Sequence, residues 1–157
     1  MKTIILYYSI HKGNTKKLAE AIASAQEGKV KLLDSVGAKT ADLSGYDMVG
    51  IASGIYAGSF GKDLTELVRS SLPEKQKVFL LYTYGIQMDR YTKAIKAILE
   101  EKHAPVLGEY SCKGHNTFGP FKLIGGTGKG HPNAEDIEAA LQFYRSLEAE
   151  QKTDTPK

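Results

Sequence analysis

Apolar runs and helical periods alternate along the chain. Five stretches read as strands: Thr3–Tyr8, Val30–Asp34, Tyr46–Ser53, Lys77–Thr83 and Val106–Cys112. "MVGIA" and "VFLLYT" within them are nearly continuous in apolar character, as expected of strands covered on both faces. Between the strands, apolar residues recur at helical spacing: Leu18, Ile22 and Ala25; Leu64, Leu67, Val68 and Leu72; Tyr91, Ile95, Ile98 and Leu99; Ile137, Leu141, Tyr144 and Leu147. Gly28 and Pro73 punctuate helix ends, and Asn133 with Asp136 has the three-residue spacing of an N-terminal cap. The connection 35–45 is the exception, with a weak helical signal around Thr40–Leu43. The alternation predicts an α/β domain: one doubly wound, five-stranded parallel sheet with helices on both faces. It occupies residues 1–149, and 150–157 (the last seven being QKTDTPK) reads as a frayed tail. Ligands of such sheets bind beyond the carboxyl ends of the strands, beside the topological switch point.

Three loops share that end of the sheet. The first, Ser9–Thr15 in "YYSIHKGNTKKLAEAIA", joins the first strand to the first helix through polar residues and Gly13. A strand that feeds a helix this way leaves backbone N–H groups unpartnered at the positive end of the helix dipole, a socket for an anion. The loop by itself leaves open whether a phosphate sits there, since most strand–turn–helix units bind nothing. Two phosphate fingerprints are absent, G-x-x-x-x-G-K-[ST] and G-x-G-x-x-G. "GGTGKG" (125–130) is neither: Gly130 follows Lys129 where Ser or Thr is required, and the third glycine of the dinucleotide pattern falls on His131. The second loop, "SGIYAGSFG" (53–61), and the third, "TYGIQM" (83–88), add glycines and the tyrosines Tyr56 and Tyr84. A phosphate socket between two such loops suits a ligand with a phosphate and a flat ring. Glycine lets backbone approach a ring edge, and tyrosine stacks at low entropic cost.

Composition narrows the class. A chain of 157 residues buries a substantial core without staples, and its single cysteine, Cys112, excludes an internal disulfide. Cys112 reads as a buried packing residue. No stretch is long or apolar enough for a membrane span and no signal-peptide layout is present, so a cytoplasmic location is expected. The net charge of +3 comes from scattered lysines without a run beside aromatics, a solvated surface rather than a nucleic-acid footprint. His103 reads as a helix-terminal surface residue, and His115 and His131 lack metal-ligand spacing. His11 and Lys12 lie in the first loop, where either adds attraction for a phosphate dianion. The segment 113–133 is too long for a passive connection, and Phe118, Phe121, Leu123 and Ile124 argue that it packs down as a flap or hairpin.

On these residues the chain resembles a flavodoxin over nearly its whole length, from Thr3 to about Leu147. Gly13-Asn14-Thr15 with "KLAEAIA" matches the second half of the family's T-x-T-G-x-T phosphate loop. "SGIYAG" resembles its second flavin loop and "TYG" its third. "SCKGHNTFGPFKLIGGTGKGHPNAEDIEAA" resembles the C-terminal signature of a subgroup of small bacterial flavodoxin-like proteins. The resemblance implies the flavodoxin-like strand order 2-1-3-4-5 and FMN as cofactor. It assigns the phosphate to the Ser9 and Thr15 hydroxyls and to N–H groups from His11 through Lys12, Gly13 and Asn14 to Thr15. The ring then lies between Ser53, Gly54, Ile55, Tyr56, Ala57 and Gly58 on one side and Thr83, Tyr84 and Gly85 on the other. The chain departs from the family in three ways. The phosphate loop is one residue longer, so alignment on Gly13 gives the first hydroxyl position to Ile10. The second-loop tryptophan is replaced, with Tyr56 as its substitute. The chain is basic where electron-carrying flavodoxins are strongly acidic.

The functional expectation is an electron carrier shuttling between redox partner proteins, as a monomer or homodimer, with the flavin supplying the redox chemistry and no catalytic residue or metal in the protein. The alternative is an FMN-dependent NAD(P)H or quinone oxidoreductase, which needs an open pocket above the ring. A flavodoxin-like scaffold without cofactor is a third possibility. A phosphate-accepting receiver domain is excluded, because the acidic pair and the aspartate it needs are replaced by Ser9, Ile10 and Ser53.

Overall fold

The computed structural model describes residues 1–10, 12–115, 126 and 128–154. His11, and the apolar residues Phe118, Phe121, Leu123 and Ile124 expected to pack as a flap, lie outside the described residues. The elements are β1 (Thr3–Tyr8), α1 (Asn14–Ala25), β2 (Val30–Asp34), β3 (Met48–Gly54), α2 (Lys62–Ser71), β4 (Val78–Tyr84), a 3-10 turn (Asp89–Thr92), α3 (Lys93–Glu101), β5 (Val106–Lys113) and α4 (Ala134–Thr153). The five strands form one sheet in the order β2-β1-β3-β4-β5, with all neighbours parallel. Strand boundaries differ from the sequence expectation by a residue or two, the usual uncertainty at element ends.

The continuous apolar runs serve two cores. Side chains alternate across a strand, so Ile4, Leu6, Val49, Ile51, Val78, Leu80 and Tyr82 face α2 and α3, joined by Leu64, Leu67, Val68, Ile95, Ile98 and Leu99. Ile5, Met48, Ala52, Phe79 and Leu81 face the other way, against Ala19 and Ile22 of α1 and Tyr144 and Leu147 of α4. Gly50 makes that second layer possible. A Cβ there would lie 2.5 Å from Cζ of Phe79, so the ring occupies the space a side chain would need. The layer is tied at its base by the buried Tyr144 hydroxyl, which donates to Oγ1 of Thr3 at 2.9 Å.

Two expectations are corrected. The connection 35–45 contains no helix; it runs as irregular backbone fastened to the end of α2, where Ser71 Oγ accepts from Ala41 N and Ser70 Oγ donates to Lys39 O. Those serines satisfy backbone groups that a helix would otherwise have paired. The tail begins later than expected. Helix α4 continues to Thr153, with Lys77 Nζ donating to Oε1 of Gln151 and so holding the last turn against the start of β4. The expected cap is present as a full capping box: Asn133 Oδ1 accepts from Asp136 N, and Asp136 Oδ2 accepts from Asn133 N.

Candidate functional site

The loops following β1, β3 and β4 converge at the carboxyl end of the sheet, and a cleft opens between them. Ser9, Asn14 and Thr15 line it from the first loop, Gly54, Ile55 and Tyr56 from the second, and Thr83, Tyr84 and Gly85 from the third. Nine of the residues expected to bind the ligand therefore meet in one place.

The first loop enters α1 through Lys12 and Gly13, both left-handed, with φ of 53° and 63°. This places Gly13 at the N-cap position with no side-chain cap of its own. A Cβ on Gly13 would meet nothing within 4 Å, so the space beside the helix start is open. Among the described residues none accepts from the N–H groups of Gly13, Asn14 or Thr15. Ser9 Oγ accepts the N–H of Lys16 at 3.3 Å, taking one donor of the first turn. The Thr15 hydroxyl is wholly buried and shares a 2.8 Å hydrogen bond with the buried hydroxyl of Thr83. Each hydroxyl has one donor and two acceptor sites, so this bond joins loops one and three without exhausting either group.

The second loop folds back on itself. Tyr56 N donates to Ser59 O at 2.8 Å and Ser59 N to Tyr56 O at 3.1 Å, closing a two-residue turn in which Ala57 (φ 51°) and Gly58 (φ 79°) are both left-handed. That is the geometry of a type I′ hairpin turn, unfavourable for alanine by ~1 kcal/mol. The turn throws Tyr56 inward. Its ring meets Tyr8 edge-on at 5.0 Å between centroids, and its hydroxyl accepts the N–H of Ile10 at 3.0 Å. Tyr84 forms the facing wall, and burial, followed by the charge states of Cys112, Tyr82 and Asp136, raises its phenol above the ordinary tyrosine value.

Of the other expected residues, Ser53, Ala57, Gly58 and Ile10 stand apart from the cleft. Ser53 is fully buried beneath it, its hydroxyl donating to Gly54 O and accepting from Gly61 N at 2.9 Å, so it pins both ends of the second loop. Ala57 and Gly58 form the outer turn, with the Arg90 guanidinium beside Gly58. Ile10 is half exposed and faces a neighbouring groove with Ala57 and Phe60. Two residues the sequence did not assign to the site complete the cleft: Gly114 and His115, just past β5. The "KGH" triplet belongs to the C-terminal signature, but nothing in its spacing ties it to the first loop. No group of three or more His, Cys, Asp or Glu capable of holding a metal is found among the described residues. Nor does any described helix have the length and apolarity to cross a membrane.

A parallel sheet of order 2-1-3-4-5 with an anion-ready turn after its first strand and two aromatic loops beside it defines a flavodoxin-like protein. The model of the flavodoxin domain matches residues 4–110, and the chain belongs to that family. An uncharacterised protein of Methanocaldococcus jannaschii is 36% identical over 149 residues, covering 94% of this chain and 98% of its own. Among solved structures, oxidised flavodoxin 2 from Bacillus cereus superposes with a TM-score of 0.69 at 17% identity, covering 96% of this chain and 99% of its own. The Fusobacterium nucleatum flavodoxin, solved with bound flavin mononucleotide, gives 0.65 at 14% identity with the same coverage. These two likenesses are of fold.

Proposed function

We propose that this protein binds FMN in the cleft and passes electrons between redox partner proteins. The observation that carries the reading is the convergence of the first loop with two tyrosine-bearing loops on one cleft at the carboxyl end of the sheet. The residues present fit a flavin phosphate: open space at Gly13, helix-start N–H groups with no acceptor among the described residues, and a buried hydroxyl at Thr15. The phosphate lies on the first loop, and the ring lies between Tyr56 and Tyr84. When bound, the flavin supplies the electron chemistry. The chain binds it, orients it and sets its potential by stacking and backbone hydrogen bonds.

Among the described residues the cleft presents no carboxylate, cysteine or lysine placed as acid, base or nucleophile. Among the described residues lining it, the titratable side chains are Tyr56, Tyr84 and His115. The decisive measurement is the visible spectrum of the purified protein with identification of the released flavin. A yellow protein releasing FMN supports the cofactor; a colourless one that takes up no added FMN refutes it. Mixing protein, FMN and NAD(P)H, with and without a quinone, then tests the role. Slow NAD(P)H oxidation is expected, and rapid turnover without an added reductase promotes the oxidoreductase alternative.

A further inference from the structure

Immediately after β5 the chain turns across the start of α1. Gly114 N donates to Tyr84 O at 2.9 Å, and His115 O accepts from Asn14 Nδ2 at 3.0 Å. The chain that returns toward α4 is pressed onto this turn. His131 O accepts from His115 N at 3.0 Å, and a Cβ on Gly128 would lie 2.4 Å from the Gly114 carbonyl oxygen. His131 is anchored in its turn, with Nδ1 2.6 Å from Asp136 Oδ2, the same oxygen that accepts from Asn133 N in the α4 capping box. The Tyr110 hydroxyl donates to Asp136 O at 2.8 Å and holds this corner against β5. Hydrogen bonds thus run from the α4 cap through His131 and His115 to the side-chain amide of Asn14, the buried residue that opens α1 and lines the cleft.

We propose that this run is a clamp that fixes the Asn14 amide for the flavin phosphate, with His131 and Gly114 as positioning residues that favour the phosphorylated flavin over riboflavin. The inference rests on the FMN reading above. Capping α4 requires only Asn133 and Asp136, so the His131 ring is surplus to the helix. Glycine at 114 is likewise surplus to the backbone, which is not left-handed there. It is required by Asn14. The three atoms nearest a Cβ at 114 are Nδ2, Cγ and Cβ of Asn14, at 2.7, 3.0 and 3.1 Å. A side-chain amide held on one N–H keeps a fixed plane and a second donor, and a ligand meeting a preset group loses less ordering entropy than one that must capture it.

The test uses the full chain and titrates FMN and riboflavin separately by flavin fluorescence. In Gly114→Ala the new methyl displaces Asn14, and FMN affinity should fall by roughly 10- to 100-fold, the scale of one hydrogen bond to a charged group, with riboflavin affinity unchanged. Adding Asn14→Ala to that variant should produce no further loss, because both changes remove one contact. His131→Ala should show the same split between the ligands. His131→Asn, whose amide nitrogen can stand where Nδ1 stood, should restore FMN affinity. If Gly114→Ala does not fold, the two His131 variants decide by the same split and rescue. FMN and riboflavin weakening together, or neither weakening, overturns the clamp. Wild-type protein that takes up FMN beside unaffected variants sinks the clamp alone, whereas wild-type protein that takes up none overturns the cofactor reading and the clamp together.

Discussion

The hydroxyl of Thr15 is held in place from two directions, by burial at the start of α1 and by its bond to Thr83. Replacing it with valine keeps the shape and removes the polar group. FMN affinity should fall by about 1.5–3 kcal/mol, the worth of a charge-assisted bond. Because Thr83 is then left buried without this partner, unfolding free energy should fall as well, by about 1–3 kcal/mol. Isothermal titration and urea unfolding of the same variant separate the two effects. Tyr56 makes a different case. Its ring packs on Tyr8 while its hydroxyl accepts the N–H of Ile10. On the proposed flavin placement, Tyr56→Ala removes an electron-rich ring from beside the isoalloxazine. It should weaken FMN binding and raise the midpoint potential of the bound flavin, as followed by spectroelectrochemistry. At this scale the sequence was readable where neighbours in the chain act together, as in Gly13-Asn14-Thr15. It was unreadable for His115, which reaches Asn14 across 101 residues through a backbone carbonyl that leaves no mark on residue type.

Elements were legible where an apolar run or a capping pair marked them. The strands β3 and β4 carry apolar side chains toward both cores, and α4 announced its start through Asn133 and Asp136. The hairpin turn at Ala57-Gly58 was hidden, because alanine is not the residue that a left-handed position advertises. That mismatch gives a prediction. Ala57→Asn places a residue tolerant of positive φ in the same turn and should stabilise the protein by ~0.5–1 kcal/mol in urea unfolding, with the fold unchanged. Helix α4 outran its expected end for a tertiary reason. The polar residues 150–153 have no helical signature strong enough to compete with a tail, and the Lys77 contact to Gln151 supplies what local sequence does not.

For the molecule as a whole, several acids are buried in protonated form. Burial, then the charge of Asp136, pushes the Cys112 thiol from 9.0 up to about 12, and burial pushes the Tyr144 phenol from 10.0 up to about 12. The unfolded chain ionises these groups at lower pH than the folded one. Above pH 9 the unfolded state therefore binds fewer protons, and stability declines as pH rises. The part of stability tied to Cys112 is complete below pH 9 and is lost progressively between pH 9 and about 12. Urea midpoints should accordingly be flat from pH 7 to 8.5 and drop beyond, and Cys112→Ala should make that drop shallower. An equally steep drop in the variant would assign the effect to the tyrosines. The net charge of +3 also bears on docking. Association with a redox partner should be less salt-sensitive than for a strongly acidic flavodoxin, or should favour an acidic partner, which stopped-flow rates across ionic strength would show.

The bond between Tyr144 and Thr3 spans 141 residues, and it has a temporal meaning. A chain made from its N-terminus produces β1 first and the helix that shields one side of it last. Until α4 is synthesised, Ile5, Met48 and Phe79 lack part of their cover, and the loop ahead of α1 hangs from a strand whose layer is unfinished. Contacts this distant in sequence form late, since loop closure must be overcome before they contribute. A ribosome-stalled chain ending before residue 134 should therefore capture little flavin, and release of the finished chain should be the moment at which colour develops.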